Sequence, residues 1–274
     1  MFRICIRKIL GSKSKICMRT FSNLTKVQFK SGVSEIKLCD LKSRNSLSIA
    51  MMQNLINNIT EHQNNEIVRA IVISAEGPVF SAGHNLKELA KGRETQENVF
   101  KLASQLMCSL IDCPVPVIAK IDGMAAAAGC QLVAQCDIAV CSETSAFSTP
   151  GANFGIFCST PGVALARCVT KMSALYMLLT GLPVKANEAK SIGLVSKVCP
   201  SNQLDEEIMF ICDAIKLKSR SVIELGKKFY YKQIREDVKK AYTLGEQKML
   251  ENLELDDSKE GLRSFTEKRR PIWN

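Results

Sequence analysis

Short runs of apolar residues alternate with longer amphipathic segments through the first two thirds of the chain. The runs predict buried strands and the amphipathic segments predict helices, because these patterns match the periods of a strand and a helix. The predicted strands cover residues 34–38, 68–74, 117–121 and 138–141, and the predicted helices cover residues 48–60, 95–111, 127–135 and 161–169. Such alternation is typical of an α/β fold with a mainly parallel sheet covered on both faces.

From residue 173 onward the pattern changes. Helical segments dominate, a short strand at 194–198 interrupts them, and the remaining residues are charged and amphipathic. We therefore expect an α/β core at residues 22–198 and a helical C-terminal region at residues 199–274.

Two of the predicted strands lead toward glycine-bearing turns that carry the strongest chemical signal. The first turn follows Phe80-Ser-Ala and contains Gly83, and the second opens a helix and contains Gly129. Backbone N–H groups at such points are unpaired and carry partial positive charge, so they attract developing negative charge. Two converging amides of this kind form an oxyanion hole.

The order and residues of these two passages resemble the enoyl-CoA hydratase/isomerase (crotonase) family, and the resemblance extends over about residues 33–272. It implies a crotonase (ClpP-like) fold, in which a spiral of ββα turns is followed by a helical trimerisation region. A homotrimer or a dimer of trimers is therefore expected. The resemblance also implies an acyl-CoA ligand, with coenzyme A bound as part of the substrate and no separate cofactor.

The resemblance assigns the two oxyanion amides to His84, which follows Gly83, and to Ala128, which precedes Gly129. The family commonly has glycine at the second position, and alanine still offers its N–H. We expect the His84 imidazole to line the groove for adenine or pantetheine rather than to act as a base. Asn85 stands where the family prefers aspartate, and we interpret it as a turn residue.

The two catalytic glutamates of the family's hydratases have no counterpart in this chain. The matching positions are Gln131 and Gly151, and Ser159, near a third position used by some isomerases, also lacks a carboxylate. Each lost acid or base typically costs roughly 10²–10⁴ in rate. We therefore expect crotonyl-CoA hydration to be absent or very slow, and we expect glutamates at 131 and 151 together to raise it.

Other reactive side chains near these positions have structural interpretations. Asp137 is expected to start a buried strand, and Glu143 is expected to lie in a turn. Cys158, Ser159 and Thr160 form a polar cluster, but no histidine is near in sequence to activate a nucleophile. We interpret this cluster as pocket lining.

The C-terminal tail resembles the family segment in which a phenylalanine and a lysine contact the adenine and phosphates of a neighbouring subunit's ligand. We assign these roles to Phe265 and Lys268. Arg269 and Arg270 are expected to add bidentate contacts with phosphate. Lys87, shortly after the first turn, would bring a further positive charge to the coenzyme A site.

The net charge of +10 is concentrated at the N-terminus. No acidic residue occurs before Glu35, and the same stretch contains serine, threonine and scattered apolar residues, as in a mitochondrial transit peptide. The segment around Arg19 resembles a matrix-processing site. We therefore predict that residues 1–21 are removed after Phe21 in the mitochondrial matrix, which lowers the charge from +10 to +4. The alternative is a basic arm that binds nucleic acid.

The twelve cysteines predict neither disulfides nor a metal site. They form no C-x-x-C pair, and most lie in apolar runs where a thiol behaves as a small hydrophobe. Only His62 and His84 offer imidazole ligands.

The chain lacks an apolar run long enough to span a membrane. Dinucleotide-binding, P-loop and G-x-S-x-G motifs are also missing from the sequence.

Three functions remain open. The first is a mitochondrial acyl-CoA enzyme of fatty-acid metabolism that mainly polarises the thioester, as in a slow hydro-lyase, decarboxylase or thioesterase step. The second is an acyl-CoA-binding or regulatory protein without turnover, which the missing carboxylates favour over a true hydratase. The third is an RNA-binding protein, which rests on a charge that mostly disappears with the transit peptide.

Overall fold

Strands and helices alternate along residues 24–274, which are the residues that the computed structural model describes. The predicted transit peptide lies outside them. The ten strands are β1 Thr25–Lys30, β2 Val33–Leu38, β3 Ala70–Ala75, β4 Val79–Ser81, β5 Val117–Ile121, β6 Met124–Ala126, β7 Ile138–Ser142, β8 Ala146–Ser148, β9 Val184–Lys185 and β10 Lys197–Cys199. The eleven α-helices of the same residues are α1 Ile49–Gln63, α2 Leu86–Leu89, α3 Arg93–Asp112, α4 Ala128–Gln135, α5 Ser159–Cys168, α6 Lys171–Thr180, α7 Ala186–Ser191, α8 Leu204–Lys216, α9 Arg220–Gln233, α10 Val238–Glu254 and α11 Asp256–Thr266.

The strands form two sheets. The large sheet has the order β1-β2-β3-β5-β7-β10, in which β1 pairs antiparallel to β2 and the other pairs are parallel. The small sheet has the order β4-β6-β8-β9, in which β9 is antiparallel to β8. The parallel core that the apolar runs predict is thus confirmed.

Successive strand pairs contribute one strand to each sheet. The chain passes from β3 to β4, from β5 to β6 and from β7 to β8, and a helical segment follows each pair. It therefore winds as a spiral of ββα turns. Because β4, β6 and β8 are parallel neighbours, their carboxyl ends lie side by side, and the loops that leave them meet at one place.

The hydrophobic core lies between these sheets and the helices that cover them. Its largest fully buried side chains include Ile36, Leu55, Ile73, Phe80, Leu106 and Phe147. Truncating one apolar side chain of this size to alanine typically costs about 2–5 kcal/mol of folding free energy. These side chains therefore stabilise the packing of the layers.

The predicted helices and strands of the core are confirmed, with shifts at their ends. Helix α1 begins directly after Ser48, whose hydroxyl accepts a hydrogen bond from Met51 N at 3.2 Å as an N-cap. The short strands β4, β6 and β8 were missed, because three residues are too few to show a period. Strand β1 was missed because only Thr25 of it is buried, so it contains no apolar run.

Helix α9 is fastened to the core by a buried ion pair. Lys227 Nζ donates to Asp137 Oδ2 at 2.7 Å and to the Leu110 carbonyl oxygen at 2.9 Å. The same carboxylate accepts from Tyr231 Oη at 2.9 Å and from Val117 N at 2.7 Å. The Lys227 and Asp137 side chains are only 8% and 16% exposed, so the contact is shielded from water.

Helix α10, like α9, contains no fully buried residue, and it packs mainly against α9 and α11. It exposes large apolar side chains, among them Tyr242, Met249 and Leu250. Large exposed apolar patches often mark interaction surfaces. Within residues 24–274, none of the helices combines the length and apolarity needed to cross a membrane.

The ion pair of α9 gives a prediction about stability. We expect Lys227→Met to lower the free energy of unfolding by about 3 kcal/mol, because the buried Asp137 carboxylate loses its counter-charge. Urea unfolding followed by circular dichroism measures the change. Lys228→Met is the matched control, since the Lys228 side chain is 60% exposed and pairs with Glu224 at the surface, and such pairs contribute about 1 kcal/mol or less. Equal losses in the two variants would contradict the assignment.

Candidate functional site

The first turn of the site follows strand β4. Gly83 has φ +86°, a left-handed conformation that glycine adopts without strain. Its N–H donates to Ser81 Oγ at 3.2 Å, and its carbonyl oxygen accepts from Leu47 N at 2.7 Å. Asn85 then caps α2, since its Oδ1 accepts from Lys87 N at 3.0 Å. The interpretation of Asn85 as a turn residue is thus confirmed.

The second turn joins strand β6 to helix α4. Ala127 has φ +49° and ψ −118°, a conformation that L-residues rarely adopt and that tends to occur at functional sites. Its N–H donates to the Ser148 carbonyl oxygen at 2.9 Å, which ties the turn to the end of β8. Helix α4 begins at the next residue, Ala128.

The two turns touch, and glycine is what allows the contact. A methyl group built on Gly83 would lie 2.9 Å from the Ala126 carbonyl oxygen and 3.0 Å from the Ala128 nitrogen. A methyl group built on Gly129 would lie 2.5 Å from the Ser81 carbonyl oxygen. Any side chain at either glycine would push the turns apart.

The contact brings together the two amides that the sequence singles out. Ala128 is the first residue of its helix, so its N–H has no acceptor within that helix. Within residues 24–274, no hydrogen bond takes up the N–H of Ala128 or of His84. Two fixed, unpaired amides side by side can stabilise negative charge on an oxygen placed between them.

The His84 imidazole is packed against the protein rather than hydrogen-bonded. Neither ring nitrogen has a hydrogen-bond partner within the described residues, and the ring meets the edge of Phe100 with centroids 5.6 Å apart. Burial lowers the pKa of His84 below its ordinary value. The nearby backbone of Leu47 acts in the opposite direction, but its effect on the pKa is smaller. The ring is therefore neutral at pH 7.

The two positions that lack the family's glutamates lie near this pair of turns. Gln131 is one helical turn after Ala128, is only 5% exposed and has an Oε1 without a hydrogen-bond partner within the described chain. Gly151 lies in the loop after β8, and a methyl group built on it would collide with the Ile156 carbonyl oxygen and lie 2.7 Å from Cys158 Sγ. The site thus has an uncharged amide at one position and no room for a side chain at the other.

This crowding bears on an expectation from the sequence. Glutamate at 151 was expected to help restore hydration, but the loop's own backbone occupies the space that its side chain would need. A glutamate at 151 therefore requires the loop to move, and the gain in activity from paired glutamates at 131 and 151 stays a prediction.

The nearby carboxylates do not replace the missing ones. Asp137 already accepts from Lys227, Tyr231 and Val117, and it lies directly before β7 as predicted. Glu143 is exposed in a turn.

A large cavity opens beside Gln131, with a volume of about 1150 Å³. Helices α3, α4, α5 and α9 line it and leave it partly open to solvent, and many of its lining side chains are apolar, among them Met107, Ile111, Ala134, Val163 and Ile234. Thr160 also lines it, as expected from the sequence, whereas Cys158 lies against Gly151 instead. This volume is slightly above the range of roughly 300–1,000 Å³ that is typical of pockets binding small ligands.

The residues proposed to bind coenzyme A lie on exposed surfaces. Lys87 is exposed on α2, Phe265 is 85% exposed on α11, and Lys268 follows that helix with φ +52°. Within one chain α11 packs mainly against α9 and α10, so Phe265 and Lys268 are not brought beside the paired turns.

Arg269 differs from the expectation that it adds a bidentate contact with phosphate. Its guanidinium already holds Glu260 in a bidentate pair, with distances of 2.5 and 2.9 Å, and also contacts Glu267. This pairing lowers the pKa of Glu260 to about 2. Arg269 thus fixes the tail, together with Trp273, whose Nε1 donates to the Leu217 carbonyl oxygen at 2.8 Å.

Thiols and carboxylates within residues 24–274 do not gather into a group of three that could hold a metal ion. Burial raises the pKa of the Cys130 and Cys136 thiols, so these groups stay protonated and unreactive at neutral pH.

The loop before α1 was missed as part of the site. Arg44 and Asn45 both have positive φ, and the Arg44 carbonyl oxygen accepts from Ala82 N at 3.0 Å. Asn45 Nδ2 donates to the carbonyl oxygens of Glu76 and Val79 at 2.9 and 2.8 Å. The only signal in the sequence was the asparagine, which is enriched in the left-handed region.

Comparisons with known proteins agree with this architecture. The profile of the family described as Enoyl-CoA hydratase/isomerase matches residues 28–274. The chain is 49% identical over 266 residues to the mouse protein named "Enoyl-CoA hydratase domain-containing protein 3, mitochondrial", covering 96% of this chain and 89% of that protein. It is 51% identical over 245 residues to the human protein of the same name, covering 89% and 81% of the two chains.

Solved structures give the same result. The crystal structure of human enoyl Coenzyme A hydratase domain-containing protein 3 has a TM-score of 0.89 at 49% identity, covering 91% of this chain and 100% of that chain. An enoyl-CoA hydratase of Mycobacterium smegmatis has a TM-score of 0.88 at 40% identity, covering 91% and 98%. On this evidence the chain belongs to the enoyl-CoA hydratase/isomerase family and has the crotonase fold.

Proposed function

We propose that the protein binds acyl-CoA thioesters and polarises the thioester carbonyl between the amides of His84 and Ala128. The observation that carries this proposal is the contact of the two turns, in which a methyl group on Gly83 would lie 3.0 Å from the Ala128 nitrogen. A thioester oxygen that gains negative charge needs such donors, and losing one typically costs about 3–4 kcal/mol of barrier. Coenzyme A enters as part of the ligand, without a separate cofactor.

The reaction that this site supports best depends on polarisation alone. Gln131 cannot exchange a proton at physiological pH, and the position of Gly151 has no room for a carboxylate. The protein is therefore a hydratase/isomerase-like member of fatty-acid metabolism without the usual acid and base. The second candidate is an acyl-CoA-binding or regulatory protein without turnover, which the same two positions favour.

The proposed location of the protein in the cell rests on the names of its relatives and on its N-terminal sequence. The mammalian relatives are named mitochondrial, and residues 1–34 carry basic residues without an acidic one. Import into the mitochondrial matrix with removal of residues 1–21 accounts for both. It also takes away most of the charge on which RNA binding would depend.

Assembly into a homotrimer or a dimer of trimers accounts for the exposed apolar side chains of the C-terminal helices. Tyr242, Met249 and Leu250 lie on α10, and Phe265 lies on α11. Burying them against another copy would remove apolar surface from water. It would also place Lys268 near a neighbouring subunit's ligand.

The first prediction from this proposed function concerns the hydration of crotonyl-CoA. We expect crotonyl-CoA hydration slower than that of an ordinary family hydratase by on the order of 10⁴ or more, because two proton-transfer groups are missing. A steady-state assay of the loss of the enoyl thioester measures it. Gln131→Glu should help little, since acid and base act together. Parent turnover near a typical roughly 10 s⁻¹ would show that another group, with His84 the first suspect, carries the chemistry.

The second prediction concerns coenzyme A. We expect Lys268→Glu to weaken acyl-CoA binding measured by calorimetry, with a smaller loss at high salt because the charges are screened. Lys239→Glu makes the same charge reversal on exposed α10 and should bind as tightly as the parent. The tail assignment is wrong if the two variants bind alike.

The third prediction concerns processing. We expect the mature protein to begin at Ser22, because the segment before it resembles a matrix-processing site. Peptide sequencing of the N-terminus from fractionated cells measures this directly. A cytosolic pool that keeps Met1 would rule out import and cleavage.

A further inference from the structure

Helix α11 ends in a conformation that is unusual for the residue at its end. Lys268 has φ +52°, and its N–H donates to the Phe265 carbonyl oxygen at 3.3 Å. The N–H of Arg269 donates to the Ser264 carbonyl oxygen at 3.0 Å. These two hydrogen bonds form a Schellman motif, in which glycine usually takes the left-handed position because other residues are strained there. Strain of this kind occurs preferentially at functional sites.

An ion pair fastens the segment that follows Lys268. The Arg269 guanidinium contacts both carboxylate oxygens of Glu260, at 2.5 and 2.9 Å. The same carboxylate accepts from Ile272 N at 3.0 Å. Because Arg269 lowers the pKa of Glu260 to about 2, the carboxylate stays charged at neutral pH. Glu260 thus holds the residue next to Lys268 against the body of α11.

The end of the chain is anchored as well. Trp273 Nε1 donates to the Leu217 carbonyl oxygen at 2.8 Å, at the end of α8. The N–H of Asn274 donates to Asp257 Oδ1 at 2.9 Å, and Asp257 is only 5% exposed. The segment from Arg269 to Asn274 is therefore held at both of its ends.

The Lys268 side chain has no such anchor. It is exposed, and its ammonium forms no ion pair or hydrogen bond within residues 24–274. Phe265, on the last turn of α11, is 85% exposed beside it. The tail thus presents a free positive charge from a fixed backbone position. A backbone that is fixed before binding has less conformational entropy to lose when the charge pairs with a ligand.

We propose that Glu260 is a positioning residue for acyl-CoA binding, which fixes Arg269 so that Lys268 is presented to the phosphates of coenzyme A in a neighbouring subunit. Glu260 does not contact the ligand, and Arg269 acts as a clamp rather than as a second phosphate ligand. Breaking the pair frees the tail and lets Lys268 leave its strained conformation. This inference rests on the proposed binding of acyl-CoA and on the role assigned there to Lys268.

Calorimetry with octanoyl-CoA tests the proposal on the mature protein. We expect Glu260→Gln to weaken binding about fivefold, which is the typical cost of ordering one long side chain on binding. Arg269→Lys should cause a similar loss, since it keeps the positive charge and removes the bidentate fork. Glu251→Gln is the matched control, because it removes a carboxylate that pairs with Lys248 at 2.5 Å on α10. It should bind as tightly as the parent.

Two further measurements separate positioning from a general loss of structure. In a Lys268→Ala background, Glu260→Gln should cause no further loss of affinity, because the ammonium that it positions is already gone. Octanoyl-pantetheine carries the same thioester without any phosphate. Glu260→Gln should bind this probe as tightly as the parent does.

The outcomes separate this inference from the proposed function. If octanoyl-CoA does not bind the parent, the proposed function fails. If it binds and Lys268→Ala does not weaken it, acyl-CoA binding stands, while the role of Lys268 and this inference fail together. If Lys268→Ala weakens binding but Glu260→Gln does not, only the positioning role is overturned. An equal loss from Glu260→Gln with and without Lys268, or a loss that extends to octanoyl-pantetheine, also overturns it.

Discussion

The close approach of two backbone turns is the constraint on which the rest of the site depends. Gly83 faces the start of α4 with no space for a methyl group, and Gly129 faces Ser81 in the same way. These contacts exist because β4 and β6 are parallel neighbours whose carboxyl ends lie side by side. The spiral of ββα turns thus brings together two amides from segments that are distant in sequence, and it fixes them before any ligand binds.

The groups next to these two amides are uncharged, and this limits the chemistry that the site can perform. Gln131 contributes a buried amide, and the loop after β8 closes over Gly151 so that its own carbonyl group at Ile156 fills the space. His84 is neutral because burial lowers its pKa. In the proposed function, these amides stabilise negative charge on a thioester oxygen, while no carboxylate is placed to transfer a proton. The proposal therefore separates binding and polarisation from acid–base chemistry.

The helical region is joined to the core by α8, whose Leu204, Ile208 and Cys212 pack on the large sheet, and by the polar contacts of α9. Asp137 accepts from Lys227 on α9 and from backbone in the core, so a shielded ion pair contributes to holding the α9 wall of the cavity. Helix α10 beyond it contains no fully buried residue. The core is thus formed within one chain, whereas the last helices leave large apolar side chains exposed.

The sequence by itself determined the alternation of strands and helices and the two glycine turns, because each is a property of local pattern, and its resemblance to the family located the two missing glutamates. The short strands of the small sheet gave no periodic signal, and β1 exposes most of its residues. Only the tertiary structure showed that Arg269 is already paired with Glu260 and that Gly151 has no free space. Those results depend on which atoms from distant segments come into contact, and no local pattern records such contacts.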